Sequence, residues 1–255
     1  MTHNPEFWTC EFYQTYADIE SLIHKTENLF HLLANTTEGL KFNKLQSLKG
    51  TDLKFHPPFP RIDFIPSLES AVGFKLPHLD HEDARDKLEA LLKTLSIKPP
   101  SPATIPRMLD KLAFKYLEAK CVEPTWIINH PECLSPLSKS FIHPDNEQPV
   151  SARAELFVNK REVVNTYEEE NSPIEQRRKF ETQLRFKDPD ASTESVDESF
   201  LQALSFGMPP TGGWGCGIER LVMLFAGTKR IADTLSFGTL RNVVSNSGKS
   251  SLAPS

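Results

Sequence analysis

The sequence predicts an α+β fold, in which helices flank a β-sheet. Apolar residues recur at helical spacing in three segments, residues 16–33, 83–95 and 105–119. Strands are predicted where apolar residues alternate or where prolines punctuate an extended stretch, over residues 53–64, 151–159 and 162–169. A glycine-rich strand that runs directly into a helix completes the pattern at residues 207–225.

Composition is that of a globular protein with one large core or two small ones. The chain has 255 residues, 38% of them hydrophobic, and a formal net charge of −5, which argues against coating nucleic acid non-specifically, because that requires a basic face. The four cysteines form no C-x-x-C pair, so zinc ribbons and disulfide scaffolds are not expected and a reducing compartment fits. No apolar run is long enough to cross a bilayer, and the start resembles neither a signal nor a transit peptide, so no membrane partner is expected.

The glycine-rich string G-M-P-P-T-G-G-W-G-C-G-I-E-R-L has the features of a nucleotide site. Its glycines remove side chains from one strand face, so that a flat ligand can lie against the backbone. Arg220 follows in the first turn of the predicted helix, where its guanidinium and the positive helix end both favour phosphate. Glycines alone also fit a bulged strand packed under a helix. The full string resembles motif 3 of the class II aminoacyl-tRNA synthetases, in the form typical of the lysyl, aspartyl and asparaginyl subgroup.

Residues 151–171 hold the densest set of polar side chains. Strand alternation turns Glu155 away from an apolar face and places Asn165, Tyr167 and Glu169 on one side of the next strand, where they could line one pocket. Glu162 has the opposite parity, so it shares a site with Asn165 only if the strand bulges or twists between them. On pattern alone, the run of three glutamates at residues 168–170 predicts a solvated edge.

The string A-E-L-F-V-N-K-R-E-V-V-N-T-Y-E-E-E-N-S-P in that region is similar to the lysyl branch of the family. The resemblance implies that Glu155 and Glu162 hold magnesium against the phosphates of ATP, and carboxylates suit this hard ion. It further implies a lysine pocket that contains Asn165, Tyr167 and Glu169, since a carboxylate is the natural partner of a lysine ammonium.

In the glycine-rich strand, the resemblance assigns Gly215 to the lysine site and Gly217 to the ATP site. Arg220 is assigned to ATP and is the predicted catalytic residue.

The amino terminus, T-H-N-P-E-F-W-T-C-E-F-Y, resembles the second half of the family's motif 2. By this resemblance the ATP site includes His3, Asn4 and Phe7, with the Phe7 ring stacked on adenine opposite the motif 3 arginine. Glu11 and Tyr13 are expected to reach the lysine. Ordinary strand packing is the alternative interpretation of Phe7 and Tyr13.

Two further stretches resemble the family. The string P-T-W-I-I-N-H-P-E-C-L-S-P-L-S-K is similar to a family strand and loop, and its His130, flanked by proline, is interpreted as a structural or pocket-rim residue rather than a metal ligand. The closing L-S-F-G-T-L-R-N is similar to the fungal mitochondrial branch. The cellular compartment is left open, because the sequence itself shows no targeting signal.

These resemblances imply part of the class II antiparallel sheet. The predicted organisation is a first core segment at 1–79, an inserted helical subdomain at 80–120, a second core segment at 121–245 and a disordered tail at 246–255. The anticodon-binding domain, the motif 1 dimer interface and the motif 2 arginine are expected to be missing. Contact with tRNA is therefore expected at the acceptor end only, and pairing with a second copy or a full-length synthetase is expected to be weak.

The function implied by the resemblance is that of a lysine–tRNA ligase, with ATP as substrate, Mg²⁺ as cofactor, and lysine and lysine tRNA as partners. Three alternatives stay open: a catalytically dead remnant that binds lysine, ATP or a synthetase subunit, a ligase that passes lysine to another acceptor, and a truncated gene model.

Overall fold

A six-stranded sheet forms the centre of the molecule in the computed structural model, which describes residues 6–36, 53–185 and 195–236. The strand order is β1-β8-β7-β6-β3-β2, and every neighbouring pair is antiparallel except β2 and β3. The strands are β1 (Thr9–Thr15), β2 (Arg61–Asp63), β3 (Thr125–Ile128), β6 (Arg153–Val158), β7 (Arg161–Glu168) and β8 (Thr211–Gly217). A separate hairpin contains β4 (Ser140–Ile142) and β5 (Pro149–Ser151).

Helices pack on this sheet, and the predicted α+β fold is confirmed. The helices in the described part are α1 (Ile19–Thr36), α2 (Phe64–Val72), α3 (Ala84–Thr94), α4 (Ile105–Tyr116), α5 (Pro173–Arg185), α6 (Glu198–Ser205) and α7 (Ile218–Ala226). No helix of these ranges has the length and apolar character needed to span a membrane.

The two faces of the sheet are covered differently. On one face, Leu156, Val164 and Trp214 are buried in a cluster with apolar residues of α1 and α7. On the other face, α2, α3 and α4 cover Ile127 and Phe157, toward the β2 edge. The rest of that face, over β7, β8 and β1, is left open and forms the pocket described below.

Helix ends differ from the sequence-based expectation by up to three residues. The first helix begins at Ile19 rather than residue 16, because Tyr16 has a positive φ of 58° and Asp18 accepts the N–H of Ser21 at 2.8 Å. The third predicted helix ends at Tyr116 rather than at residue 119 and is followed by a short 3₁₀ turn, Glu118–Lys120.

The strand predicted over residues 53–64 is wrong for most of its length. Only Arg61–Asp63 is a strand, and Phe64 already begins α2. Three prolines at positions 57, 58 and 60 lack the N–H groups that a β-ladder requires. Helices α2, α5 and α6 were not predicted.

A tight turn joins β6 and β7. Asn159 and Lys160 have positive φ values of 50° and 61°, as in two-residue hairpin turns whose twist matches the flanking strands. The second strand begins at Arg161 and ends at Glu168, one residue earlier at each end than predicted.

A β-bulge lies in β7 between Glu162 and Asn165, where a shared site for these two residues needed either a bulge or a twist. Leu156 is opposite Val164, whereas its neighbour Phe157 is opposite Glu162, so that Val163 is an extra residue in β7. Val163 and Val164 are consequently both buried. The bulge brings Glu162 to the same face as Asn165, and both line the open pocket.

The predicted division into core segments and an inserted subdomain stays a prediction. Its helical part, residues 80–120, contains α3 and α4, which share one apolar cluster with α2 and with Ile127 and Phe157 of the sheet. His3, Asn4 and the predicted tail at 246–255 lie outside the described residues.

Candidate functional site

The open part of the sheet face forms a pocket of about 380 Å³. Strands β1, β7 and β8 supply most of its walls and the start of α7 closes one end. The residues of the predicted ATP and lysine sites that line it are Phe7, Glu11, Tyr13, Glu162, Asn165, Tyr167, Glu169, Gly215, Gly217 and Arg220. Glu155 does not line this pocket and lies in an adjoining cavity.

The glycines of β8 form the floor of the pocket. They have no side chains, whereas the residues beside them on β1 and β7 carry large side chains that form the walls. Gly213 lies opposite Tyr13 on β1 and Tyr167 on β7, and Gly215 lies opposite Glu11 and Asn165. A Cβ atom on Gly213 would lie 1.9 Å from Oε1 of Glu169. A glycine at this position therefore leaves the space that the carboxylate occupies.

Glu169 provides an unsatisfied negative group at one end of the pocket. Its Oε1 is buried and has no hydrogen-bond partner among the described residues. Burial raises the pKa of its carboxyl to about 7. Burial, together with the Glu169 charge, also raises the pKa of Tyr167 to about 12. This end of the pocket is therefore suited to a ligand that brings a cation and hydrogen-bond donors.

Arg220 lies at the opposite end, in the first turn of α7. It donates to the backbone carbonyl of Glu162 at 2.8 Å and to the carboxylate of Glu162 at 3.0 Å. Burial, followed by the charge of Glu155, raises the pKa of Glu162. Phe7 lines the same end and its ring is 59% exposed, so it is available for stacking on a flat ligand.

Glu219 fixes the start of β1 against this helix. Its buried carboxylate accepts the N–H of Trp8 with both oxygens, at 3.0 and 3.1 Å, and the Ile218 N–H donates to the Trp8 carbonyl at 2.9 Å. These contacts hold the backbone next to Phe7. Glu219 was not predicted as a site residue, although it precedes Arg220 in the same motif.

Glu155 is held by two neighbours on the site face. Arg153 donates to its Oε1, and His130 Nε2 lies 3.1 Å from its Oε2. Burial alone would raise the pKa of Glu155, but the attraction of His130 and Arg153 outweighs it and the pKa is lowered to about 2. Glu155 is therefore a carboxylate at neutral pH. His130 is buried, which agrees with its interpretation as a structural or pocket-rim residue.

Arg153 is a second site residue that the sequence analysis missed. Its Nε donates to Oδ1 of Asn165 at 2.9 Å, and its Nη1 donates to the carbonyl of Leu134 at 2.8 Å. Arg153 thus links Glu155 with the pocket residue Asn165. Arg153 is two residues before Glu155 on β6, so strand alternation places both side chains on the same face, and this spacing could have indicated it.

Glu155 and Glu162 offer oxygen donors of the kind that magnesium prefers. In the described ranges, no three His, Cys, Asp or Glu side chains are grouped closely enough to hold a metal ion by themselves. Magnesium commonly binds through one or two carboxylates, with the remaining positions taken by substrate phosphates and water. The donor set therefore fits a magnesium ion that arrives with a phosphate ligand.

The solvated edge that the glutamate run predicts is wrong. Glu168 accepts the N–H of Ile19 at 3.1 Å, and Glu169 faces the pocket. The Glu170 side chain is 7% exposed and lies 2.7 Å from Lys179 Nζ, whose side chain is 2% exposed. Charge runs are solvated when nothing covers them, whereas here α5 covers Glu170.

Residues 1–241 match the protein-family model described as tRNA synthetases class II (D, K and N). The match includes every element of the pocket described above.

Three curated relatives of the chain are lysine–tRNA ligases. The lysine–tRNA ligase cla4 of Cladosporium cladosporioides and the mitochondrial lysine–tRNA ligase of Schizosaccharomyces pombe are each 40% identical over 248 residues, which is 95% of this chain and 41% and 46% of those proteins. The lysine–tRNA ligase of Mycoplasmopsis synoviae is 39% identical over 242 residues, or 94% of this chain and 47% of that protein. The chain spans slightly less than half the length of these relatives.

Proposed function

Because this chain belongs to the class II tRNA synthetases of the D, K and N group, we propose that its pocket binds lysine and ATP and converts them to lysyl-adenylate for transfer to lysine tRNA. The observation that carries the choice of lysine is the buried Oε1 of Glu169, which has no partner in the described residues. An aspartate or asparagine side chain offers this oxygen no cation. A lysine ammonium does, and a site built around an unpaired charge rejects ligands that leave it unpaired.

In this proposal the lysine lies over the β8 glycines, with its ammonium at Glu169 and its carboxylate toward Arg220. The tyrosines at positions 13 and 167 flank the alkyl chain, since they lie on either side of Gly213. The relatives that are named lysine–tRNA ligases support this assignment.

The reaction proposed here is a phosphoryl-group displacement followed by acyl transfer. An oxygen of the lysine carboxylate attacks the α-phosphorus of ATP, pyrophosphate leaves, and a tRNA ribose hydroxyl then attacks the acyl carbon as AMP leaves. The described residues act by positioning, because neither step requires a dedicated protein base. Phe7 and Arg220 hold the purine end of ATP, with Arg220 also adjacent to the phosphate-facing Glu162. A magnesium ion at Glu155 and Glu162 would neutralise charge on the phosphates.

Lysine-dependent exchange between ATP and pyrophosphate, measured on the purified 255-residue chain, tests the proposal. Calorimetric titrations with lysine and with ATP are run on the same sample. We expect both ligands to bind and aspartate not to bind. Exchange would show a complete adenylation site, whereas binding without exchange would favour the alternative of a catalytically dead remnant. An absence of binding by both ligands would contradict the assignment.

The affinity for lysine is expected to depend on pH through Glu169. Because the pKa of this group is raised to about 7, it is increasingly protonated as the pH falls below 7 and cannot then pair with the ammonium. Lysine affinity should therefore fall by up to about tenfold per pH unit below 7 and level off above it. Calorimetric titrations with lysine from about pH 5.5 to about pH 8.5, in steps of roughly half a pH unit, measure this profile.

Glu169→Gln removes the titrating group and should bind lysine about 10- to 100-fold more weakly with a flat pH profile. Glu181→Gln, the same change on the exposed face of α5, is the matched control and should keep the wild-type profile. A profile in Glu169→Gln that still falls below pH 7 would assign the titration to another group and remove this support for the proposal.

Arg220→Ala is expected to weaken ATP binding. The variant loses the cation at the ATP end of the pocket and leaves Glu162 without the two contacts that it makes to Arg220. A loss of about 1.5–3 kcal/mol, or roughly 10- to 150-fold in Kd for ATP, is expected for hydrogen bonds of a charged group.

Arg230→Ala serves as the control, because Arg230 is exposed and is held by Asp233 outside the pocket. Equal ATP affinities for Arg220→Ala and wild type would contradict the placement of ATP at this end.

A further inference from the structure

Two cysteines lie directly opposite each other in the strands that form the floor and one wall of the pocket. Cys10 on β1 is in register with Cys216 on β8, and both are free thiols in this structure. We infer that Cys10 and Cys216 are a redox-active pair, which a small disulfide oxidant such as oxidised glutathione converts to a cross-strand disulfide that locks β1 onto β8. The inference does not depend on which ligands the pocket binds.

The first argument is the hydrogen-bonding pattern of the strand pair. The N–H of Ile218 donates to the carbonyl of Trp8 at 2.9 Å, and the N–H of Tyr16 donates to the carbonyl of Pro210 at 2.6 Å. The even-numbered residues of β1 therefore form the hydrogen-bonded pairs with β8, and Cys10 is one of them. Cα atoms of such a pair are about 5.5 Å apart, which is within the range of roughly 4.4–6.8 Å that a disulfide spans.

The second argument is that side chains of opposite residues meet on this face of the sheet. The next pair along the strands, Phe12 and Trp214, stacks with ring centroids 5.1 Å apart. Opposite Cβ atoms are about 4.5–5.5 Å apart, whereas a disulfide requires about 3.5–4.5 Å, so the strands have to approach by roughly 1 Å. β1 can make this movement, because all seven of its residues are exposed and no strand pairs with its other edge in the described ranges.

The two thiols differ in access to solvent, and this difference sets the order in which they react. Cys10 is exposed, whereas Cys216 is only 2% exposed. Burial and then the nearby Cys10 thiol raise the pKa of Cys216 to about 12, which also disfavours its thiolate. Cys10 is therefore the thiol that meets the oxidant, and Cys216 is the resolving thiol.

The reaction is a pair of thiol–disulfide exchanges. The thiolate of Cys10 attacks one sulfur of oxidised glutathione, and a mixed disulfide forms as one glutathione thiolate leaves. Cys216 loses its proton to solvent, and its sulfur then attacks Sγ of Cys10 and displaces the second glutathione. Two protein thiols are oxidised, and one glutathione disulfide is reduced to two thiols.

The disulfide would hold one wall of the pocket in place. Glu11 and Tyr13 on β1 line the pocket, as does Phe7 just before the strand. Segments with few buried contacts open locally at the lowest free energy, and each opening of β1 would remove this wall. A bond to β8 suppresses these openings, so the oxidised protein keeps the wall closed.

Incubation of the 255-residue chain with oxidised glutathione at about pH 8, followed by alkylation and peptide mapping without reductant, tests the inference. We expect one disulfide within the chain, joining the peptides that contain Cys10 and Cys216, and dithiothreitol should reverse it. Amide hydrogen exchange in β1 should slow by about tenfold or more on oxidation. Cys10→Ser should lose both effects and should fold normally, because residue 10 is exposed. Cys133→Ala is the matched control, since it removes a thiol outside β1 and β8, and should keep both effects.

The inference is overturned if no disulfide forms, if glutathione persists on Cys10, or if the mapped disulfide joins two chains or another pair of cysteines. Slower hydrogen exchange in Cys10→Ser after the same treatment would also overturn it, because the oxidation would then act elsewhere. Unchanged exchange in wild-type protein that carries the mapped disulfide would contradict the locking of β1.

Discussion

Gly213→Ala is expected to abolish measurable lysine binding while the protein stays folded. The new Cβ would lie 1.9 Å from Oε1 and 3.0 Å from Cδ of Glu169, and 3.3 Å from the Tyr13 ring. The carboxylate is the far end of a flexible side chain, so it can rotate away, but it then leaves the position where an ammonium would bind. Losing a buried, charge-assisted contact of this kind costs about 2–5 kcal/mol, or roughly 30-fold to more than 1,000-fold in Kd.

Calorimetry with lysine measures this loss, and thermal unfolding reports on the fold. Gly215→Ala is the matched control for folding, because a Cβ there would meet only Cγ of Glu11 at 3.7 Å and the Asn165 carbonyl at 3.9 Å, which are ordinary contact distances. Unchanged lysine affinity in Gly213→Ala would show that the Glu169 carboxylate does not hold the ligand.

Lys179→Met is expected to destabilise the fold by about 3–5 kcal/mol, the usual cost of removing one partner from a buried ion pair. Lys179 Nζ lies 2.7 Å from Glu170 and 2.5 Å from the Ser138 carbonyl, and both charged side chains are almost fully buried. The variant leaves the carboxylate of Glu170 without its cation. Equilibrium unfolding in urea measures the change in free energy.

The double variant Lys179→Met/Glu170→Leu should recover most of this loss, because two apolar side chains of suitable volume replace a buried pair at little cost. Lys87→Met is the control, since Lys87 pairs with Asp83 on the surface and exposed pairs contribute about 1 kcal/mol or less. If Lys179→Met cost no more than Lys87→Met, the buried pair would have no special part in stability.

Much of the pocket could be predicted from the sequence, because its residues recur at short, regular intervals. Alternation along one strand predicts that Asn165, Tyr167 and Glu169 share a side, whereas Glu11 and Tyr13 were assigned by the family resemblance alone. The structure places all five in one cavity. Alternation is a local property of an extended chain, so it is readable without the fold. The roles assigned to these residues stay predictions.

The features that the sequence analysis did not predict depend on contacts between segments that are far apart in the chain. Glu170 looks solvated in sequence, but Lys179 reaches it from α5. Arg153 looks like one more alternating polar residue, although its guanidinium joins Glu155 to Asn165. In the proline-rich stretch before Arg61, the sequence analysis predicted an element that the structure lacks, because an extended conformation was interpreted as a paired strand. Pairing needs free N–H groups as well as extension.

The single extra residue at Val163 also sets a rule for recognising this site elsewhere. Two pocket residues on an unbroken strand would be separated by an even number of positions, whereas Glu162 and Asn165 are separated by three. A search that assumes strict two-residue periodicity would place one of them on the wrong side of the sheet. In this chain the odd interval between Glu162 and Asn165, with two consecutive buried valines inside it, marks the place where the strand changes phase between two pocket residues.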